Sequence, residues 1–583
     1  MIMPELEKTT DLLQAARSED LVDDQVKQLA VIGPIEREII STLKKSGAHL
    51  LEGARGVGKS MLLRSAELDT DAEFKAERNL AVYVNFKTST LLEGVKAGER
   101  DAFQIWVNAK ILQALHDKLV ALDLVGKGGQ ADPYQTVFGI ASVESTRSFL
   151  KEKIHLLQKL AFATDKDKQD VLSQIGGDFI DHVLDTGYLV EIINGVIDQF
   201  RLEKVTFYFD EAAHTFIPSQ QEIFFEIFKL LHGAKIAAKA AVYPSVTSYG
   251  RNFEVGQDAI VLSMDRFEPG SAGRAANRDQ FRAIIDKRIP PRSSLRKKIF
   301  TKGELLDLCI DLSTGNPRAF LHLLNRALDG GFSERSVSLA TQDFVDKELL
   351  PYHANLAKRL PKYAPHVRVG LDLLRGYIIP EIRTKNHRQT KSGYQSAFFT
   401  VQRDISPNLK LALDIMCYSG VLINKGTVKI AERQTGLRYM IHLALLSTEK
   451  AFSSSRLADA INAISLTDYR EFSSNDSQIE TYLRELKEAT DQCSTCSAPL
   501  PLNAKFCNEC GTRVETKSII SGLLEEPVDA LSLGDGLKQR VKPYYPLVGN
   551  VVQAKREEIM QIKYIKEVRS RIIKNAADEF ISG

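Results

Sequence analysis

Apolar positions along this 583-residue chain fall into two rhythms. One is the short unbroken run rich in β-branched and aromatic residues: the run ending at Leu51, then NLAVYVNF (79–86), VTFYF (205–209) and AAVYPSVTS (240–248). The other is the helical period, which fills 101–202 apart from a Gly-Lys-Gly-Gly break near 126 and a charged break, TDKDKQD, and later fills 275–360. Strands buried on both faces read as continuous apolar runs. Their alternation with helices predicts an α/β fold, a parallel sheet layered between helices. Residues 1–45 read as a polar helical lead-in, and 366–450 mix helices with a hairpin-like piece, SGVLINKGTVKI. No internal repeat or low-complexity tract is found.

Composition narrows the class. Hydrophobic residues at 44% and charged residues at 26% are ordinary for globular protein, and the length asks for about four domains. A net charge of +2 is nearly neutral, so any polyanion must be met by local patches. The start, MIMPELEKTTDLL, lacks the apolar core of a signal peptide, and no apolar run reaches the roughly 18–20 residues of a membrane span. Of six cysteines, Cys309 and Cys417 lie alone in apolar helical contexts as buried thiols. The other four form a paired cluster, which suits a reducing cytoplasm and metal rather than disulfides.

The phosphate chemistry is concentrated at Gly53-Ala-Arg-Gly56-Val-Gly58-Lys59-Ser60, a G-x-x-x-x-G-K-S run with a strand before it and a helix after it. The glycines let backbone N–H groups curl around phosphate oxygens, and the helix adds its positive end. Lys59 is expected to reach the β- and γ-phosphates of ATP, and Ser60 to hold Mg²⁺. The run VTFYFDE supplies the second half, with Asp210 and Glu211 at the carboxyl edge of the sheet. Asp210 would help hold Mg²⁺, and Glu211 would orient and deprotonate the attacking water. The competing reading of the pair is a helix N-cap after a core strand. His214 nearby reads as structural.

A P-loop, a DE-ended strand, a polar-tipped strand and a helical segment with GNPR resemble the AAA+ ATPases. The nearest branch is that of origin-recognition initiators and the related signalling NTPases that end in winged helices. The resemblance covers 30–345 by motif and 366–450 by shape. It implies that Ser245 or Thr247 is sensor 1, where the family often has Asn. It also implies that Arg318 is the sensor 2 arginine, aimed by Asn316 and Pro317, and that Val31-Ile32-Gly33 packs on adenine. Arg251 is the candidate arginine finger and Arg266 the other choice; both also read as surface arginines. Completion of sites in trans implies a homo-oligomer. The expected layout is a lead-in (1–45), a P-loop core (46–272), a helical lid (273–362), a winged-helix-like module (363–455), a linker or helix (456–490), a zinc ribbon (491–515) and a basic helical segment (516–583).

Cys493, Cys496, Cys507 and Cys510 form two C-x-x-C turns ten residues apart. Two such turns close a tetrahedral S₄ set that suits Zn²⁺ and leaves no open position for water, hence a structural metal. An iron–sulfur cluster uses the same ligands. Cations accumulate at Arg383, Lys385, Arg388 and Lys391, at Lys425, Lys429, Arg433 and Arg438, and between Lys538 and Lys574. The last stretch holds ten Lys and Arg against three Glu, with Tyr544, Tyr545 and Tyr564 interleaved. That is compatible with DNA or another nucleic acid. The alternatives are a protein partner, or a solvated basic face packed on its own core. The expected activity is an ATP-hydrolysing switch in DNA transactions or prokaryotic defence; the alternatives are a DNA loader using ATP structurally and a nucleotide-binding scaffold.

Overall fold

The unbroken apolar runs become strands because helices cover both of their faces. The computed structural model describes residues 21–582 except 88–91, 93, 99, 127–128, 164, 212–217, 245, 266–269, 361–362, 389–392, 404, 432–433, 454–455, 474–475, 489–492, 494, 497, 499, 501–506, 513–518 and 532. Strands β1 (Ala48–Glu52) and β2 (Asn79–Asn85) precede a two-residue hairpin, β3 (Lys96–Ala97) and β4 (Arg100–Asp101). Strands β5 (Lys204–Asp210), β6 (Ile236–Val242) and β7 (Ile260–Ser263) complete a five-stranded parallel sheet in the order β2-β5-β6-β1-β7. Register aligns Asn85 with Asp210, and Glu52 with both Val242 and Ser263. The carboxyl ends of all five strands therefore open on one edge, with β1 in the interior and the acid strand β5 one strand away from it.

The helix Ala102–Ala121 buries most of its length, including Trp106, against β2 and the helices Val143–Lys159 and Gly177–Leu184. The helices between Ser271 and Phe344 share a second apolar cluster with a four-stranded sheet made of β8 (Phe398–Gln402), β9 (Leu422–Ala431), β10 (Gln434–Ile441) and β11 (Tyr469–Phe472). Its order is β11-β8-β10-β9. The hairpin expected near 419–430 is present as β9 and β10. A single helix, Pro407–Tyr418, joins β8 to β9. That helix buries eight of its twelve residues and leaves Pro407 and Lys410 exposed near its start. β11, which pairs parallel with β8, lies in a stretch that reads as linker or helix in the sequence.

Two helices run on through proline. A π turn at Val345–Leu349 precedes Pro351, and another at Leu374–Ile378 precedes Pro380. A wider turn relieves the clash between a proline ring and the preceding carbonyls. The described residues of 519–582 form four short α-helices, a 3₁₀ turn and the longer helix Glu567–Ser582 around their own apolar cluster, which also receives Ala161 and Phe162. Among the described residues no helix is long and apolar enough to cross a membrane.

Candidate functional site

The loop after β1 folds as its glycines dictate. Gly56 and Gly58 take φ of 84° and 100°, the left-handed region that favours glycine, and Gly58 caps the helix Lys59–Glu77. The loop is tied to β6 by Gly53 N–H donating to Val242 O at 3.3 Å. Lys59 bends back over the loop, its Nζ donating to Gly53 O (2.6 Å) and Ala54 O (3.1 Å) and standing 3.8 Å above the Tyr243 ring. Burial lowers its pKa to about 7. Asp210 and Glu211 oppose that shift, while Arg55 and Arg318 add to it. Four charges from three elements thus act on one ammonium group.

Asp210 is 2% exposed at the end of β5. Tyr83 O–H, from the neighbouring β2, donates to its Oδ2 at 2.6 Å, and Glu211 N–H donates to its Oδ1 at 3.1 Å. Glu211 has φ of 61°, unusual for a side chain with a Cβ. Such strain is often kept where a side chain must be aimed. Asp210 and Ser60 are the residues present that suit Mg²⁺: a buried carboxylate held in one orientation, and a hydroxyl one residue inside the helix start.

The lid reaches the loop through Asn316. Its Oδ1 accepts from Arg318 N–H (3.0 Å) and Ala319 N–H (3.2 Å), and its Nδ2 donates to Arg55 O (2.8 Å). Asn316 therefore starts the helix Pro317–Asp329 on top of the phosphate loop and brings Arg318 to it. Gly56 is required here for room as well as for φ: a Cβ would lie 2.8 Å from Asn316 Oδ1 and 3.0 Å from Arg318 Cβ. Val31 packs on the lid cluster and Ile32 on the cluster beside the loop, so the segment 31–32 spans both units.

Other sequence expectations meet the structure differently. Ser245, His214, Arg266, Lys391 and Arg433 lie outside the described residues. The Thr247 hydroxyl donates to Tyr243 O at 2.8 Å, closing its own turn. Arg251 is exposed between β6 and β7 and lines neither cavity beside the loop. The residue that β6 delivers to Lys59 is Tyr243. It also stacks edge-on to Tyr418 at 5.1 Å, and Tyr352 faces both Tyr418 (6.4 Å) and the Arg55 guanidinium (5.0 Å). An aromatic at the tip of the strand between β1 and β5 was the available signal. Its partners come from residues 352 and 418, which no local pattern connects to it.

Several cations of the 363–455 module are engaged within the chain, while Arg368, Arg388, Arg403, Lys410, Lys429 and Lys450 are exposed. Lys425 pairs with Asp265, Lys385 with Asp468 at 2.5 Å, and Arg375 with Glu449 at 2.7 Å. Arg438 lies over Tyr469 at 4.3 Å and donates to Leu466 O.

The four paired cysteines converge, all sulfurs lying within 4.8 Å of one another and two pairs at 3.5 Å. Zn–S bonds of about 2.3 Å arranged tetrahedrally need sulfurs about 3.8 Å apart, so the set fits zinc. The two turns repeat one geometry: Cys493 N–H donates to Ala498 O, and Cys507 N–H to Thr512 O. Gly511 takes φ of 70° in the second.

No protein-family model and no curated protein matches the chain. Among solved structures it is similar to a Walker-type ATPase of Pyrococcus abyssi, at 13% identity and TM-score 0.36, over 75% of this chain and 99% of that one. It is also similar to the Aeropyrum pernix ORC1 protein in complex with DNA, at 13% identity and TM-score 0.29, over 76% of this chain and 95% of that one. Drosophila ORC bound to DNA gives 10% identity and TM-score 0.28, over 77% and 100%.

Proposed function

We propose that this chain is an ATP-binding and ATP-hydrolysing switch of the AAA+ type. The observation that carries the reading is the convergence on one glycine loop of Lys59 from its helix, Asp210 and Glu211 from β5, and Arg318 from the lid. Phosphate oxygens would take the N–H bonds that Lys59 now gives to Gly53 O and Ala54 O. Bound Mg²⁺, held by Ser60 and Asp210, would neutralise phosphate charge. Glu211 would orient and deprotonate water, and Arg318 would report the γ-phosphate to the lid. In purified full-length protein, Lys59→Ala should abolish Mg·ATP binding, while Glu211→Gln should bind but release phosphate far more slowly. A wild type that binds no nucleotide overturns the reading. Equal turnover of Glu211→Gln and wild type removes Glu211 from catalysis.

A second reading concerns the partner. Tyr564 is 60% exposed at φ of 68°, with Arg540 4.9 Å and Lys563 5.2 Å from its ring. An exposed ring among cations suits nucleic acid better than an apolar protein surface does. We therefore place nucleic-acid contact, DNA first, on residues 538–574, with zinc holding the preceding ribbon and the protein acting in the cytoplasm as a homo-oligomer. Charge reversal at Arg540 and Lys563 should weaken DNA binding and flatten its salt dependence. An unchanged salt slope would turn the reading towards a protein partner.

A further inference from the structure

The helix Glu567–Ser582 reaches back to the phosphate site. Lys87, two residues past β2, donates to Asn575 Oδ1 at 3.2 Å, and its Nζ lies 3.8 Å from Asp578 Oδ2. Both side chains of that ion pair are largely shielded, at 18% and 16% exposed. Lys87 directly follows Phe86, whose N–H donates to Asp210 O, so the grip falls next to the acid strand. On the adjoining stripe of the same helix, Ala576 and Phe580 line a cavity of about 370 Å³ whose other walls include Arg55, Asn316 and Arg318. The loop, the lid and this helix thus enclose one space.

The rest of the helix is anchored away from the site. Ile573, Ala577 and Ile581 belong to the apolar cluster of the 519–582 unit, as do Ala576 and Phe580 on the side that also lines the cavity. Among the described residues, the contacts of that unit with the rest of the chain include the Lys87 pair, Lys358–Glu526 at 3.4 Å where Ile519–Glu525 packs on Leu350–Arg359, the side chains of Ala161 and Phe162, and the Ala576–Phe580 stripe. One hydrogen bond, two long ion pairs and two small apolar patches form a seam weaker than the unit's own cluster, so the unit can part from the core while that cluster stays whole.

We propose that Glu567–Ser582 is a wall of the nucleotide site supplied by the same chain, held by Lys87, which retains Mg-nucleoside triphosphate and must swing away for exchange. The inference rests on the ATP reading above. Asn575 and Asp578 act through Lys87 and are positioning residues; Phe580 closes the space beside Arg55 and Arg318.

The test is the dissociation rate of a fluorescent ATP analogue from full-length protein, followed by displacement with excess ATP. Lys87→Glu and Asp578→Lys should each release it about tenfold faster, since loosening a contact acts mostly on the off-rate. The double variant Lys87→Glu with Asp578→Lys, which restores opposite charges, should return to within about twofold of wild type. Hydrogen exchange across 567–582 should slow when wild type binds Mg·ATP. Unchanged rates in both single variants, in protein that binds the analogue, overturn the wall and leave the ATP reading standing. So does exchange across 567–582 that ignores Mg·ATP. A wild type that holds no analogue overturns the ATP reading, and the wall falls with it.

Discussion

Asn316 and Arg55 join the lid to the phosphate loop: one end of the Asn316 amide donates to the Arg55 carbonyl at 2.8 Å while the other caps the lid helix. The two roles are separable. Asn316→Asp keeps the capping oxygen and loses the donor, whereas Asn316→Ala loses both. The alanine variant should cost about 1 kcal/mol of stability and the aspartate variant much less, yet both should bind ATP several-fold more weakly. Chemical unfolding and nucleotide titration, run side by side, check this. Full ATP affinity in Asn316→Asp would show that the loop does not need the lid.

Gly56→Ala tests the same junction from the other side. The added Cβ meets both the left-handed φ and the Asn316 oxygen, so the loop or the lid must shift. Nucleotide binding should be lost or fall by at least about tenfold, while the far-ultraviolet circular dichroism spectrum stays that of wild type. Binding within twofold of wild type would mean that the lid yields easily.

Purified protein should carry one zinc per chain at Cys493, Cys496, Cys507 and Cys510. Chelation should unfold residues near the ribbon, because among the described residues its apolar cluster adds only Ala498 and Leu500 to the cysteines. Cys493→Ser with Cys507→Ser should lose the metal and keep ATP binding at Lys59. Metal analysis that finds iron with acid-labile sulfide would replace zinc by a cluster.

His353 should make the protein acid-sensitive. It is fully buried, donates from Nε2 to Val367 O at 3.1 Å and has Nδ1 2.9 Å from Ser419 Oγ. Burial lowers its pKa from 6.5 to about 4, with the Val367 carbonyl opposing. Between those values the unfolded chain holds a proton that the folded chain does not. Stability is therefore complete above pH 6.5 and falls as pH drops towards 4, by about 1–2 kcal/mol at pH 5 from this group alone. Urea unfolding at pH 7.5 and 5 should show a smaller loss in His353→Gln than in wild type. Equal losses would assign the acid sensitivity elsewhere.

What could be read from the chain was whatever local pattern decides. The strands β2 and β5 announce themselves because burial on both faces demands unbroken apolar residues, whereas β6 runs from Ile236 to Val242 through the buried Lys239 and overlaps the expected run 240–248 only at its end. The glycine loop and the cysteine turns are legible because their chemistry fixes spacing. β7 has four residues, exposed or half-exposed, and carries no such signature. β11 earns its place only by pairing with β8, about seventy residues earlier. Among the cations near 383–438, Lys425, Arg383 and Lys385 meet Asp265, Glu449 and Asp468, acids that arrive from elsewhere in three dimensions and that no local pattern announces. Tyr243 against Tyr418 is hidden for the same reason.

The contact between Lys87 and Asn575 spans 488 residues of chain, and this sets an order of events at birth. At about 5–20 residues per second, the ribosome takes roughly 25–100 s to pass from one partner to the other. The sheet, the glycine loop and Asp210 emerge well before the helix that closes over them. On the ATP reading, a newborn chain would therefore take up its first nucleotide through an open door, whereas every later exchange would unseat a helix. The first occupant would be chosen by what the cell offers during synthesis, and its residence afterwards by how firmly Lys87 is held.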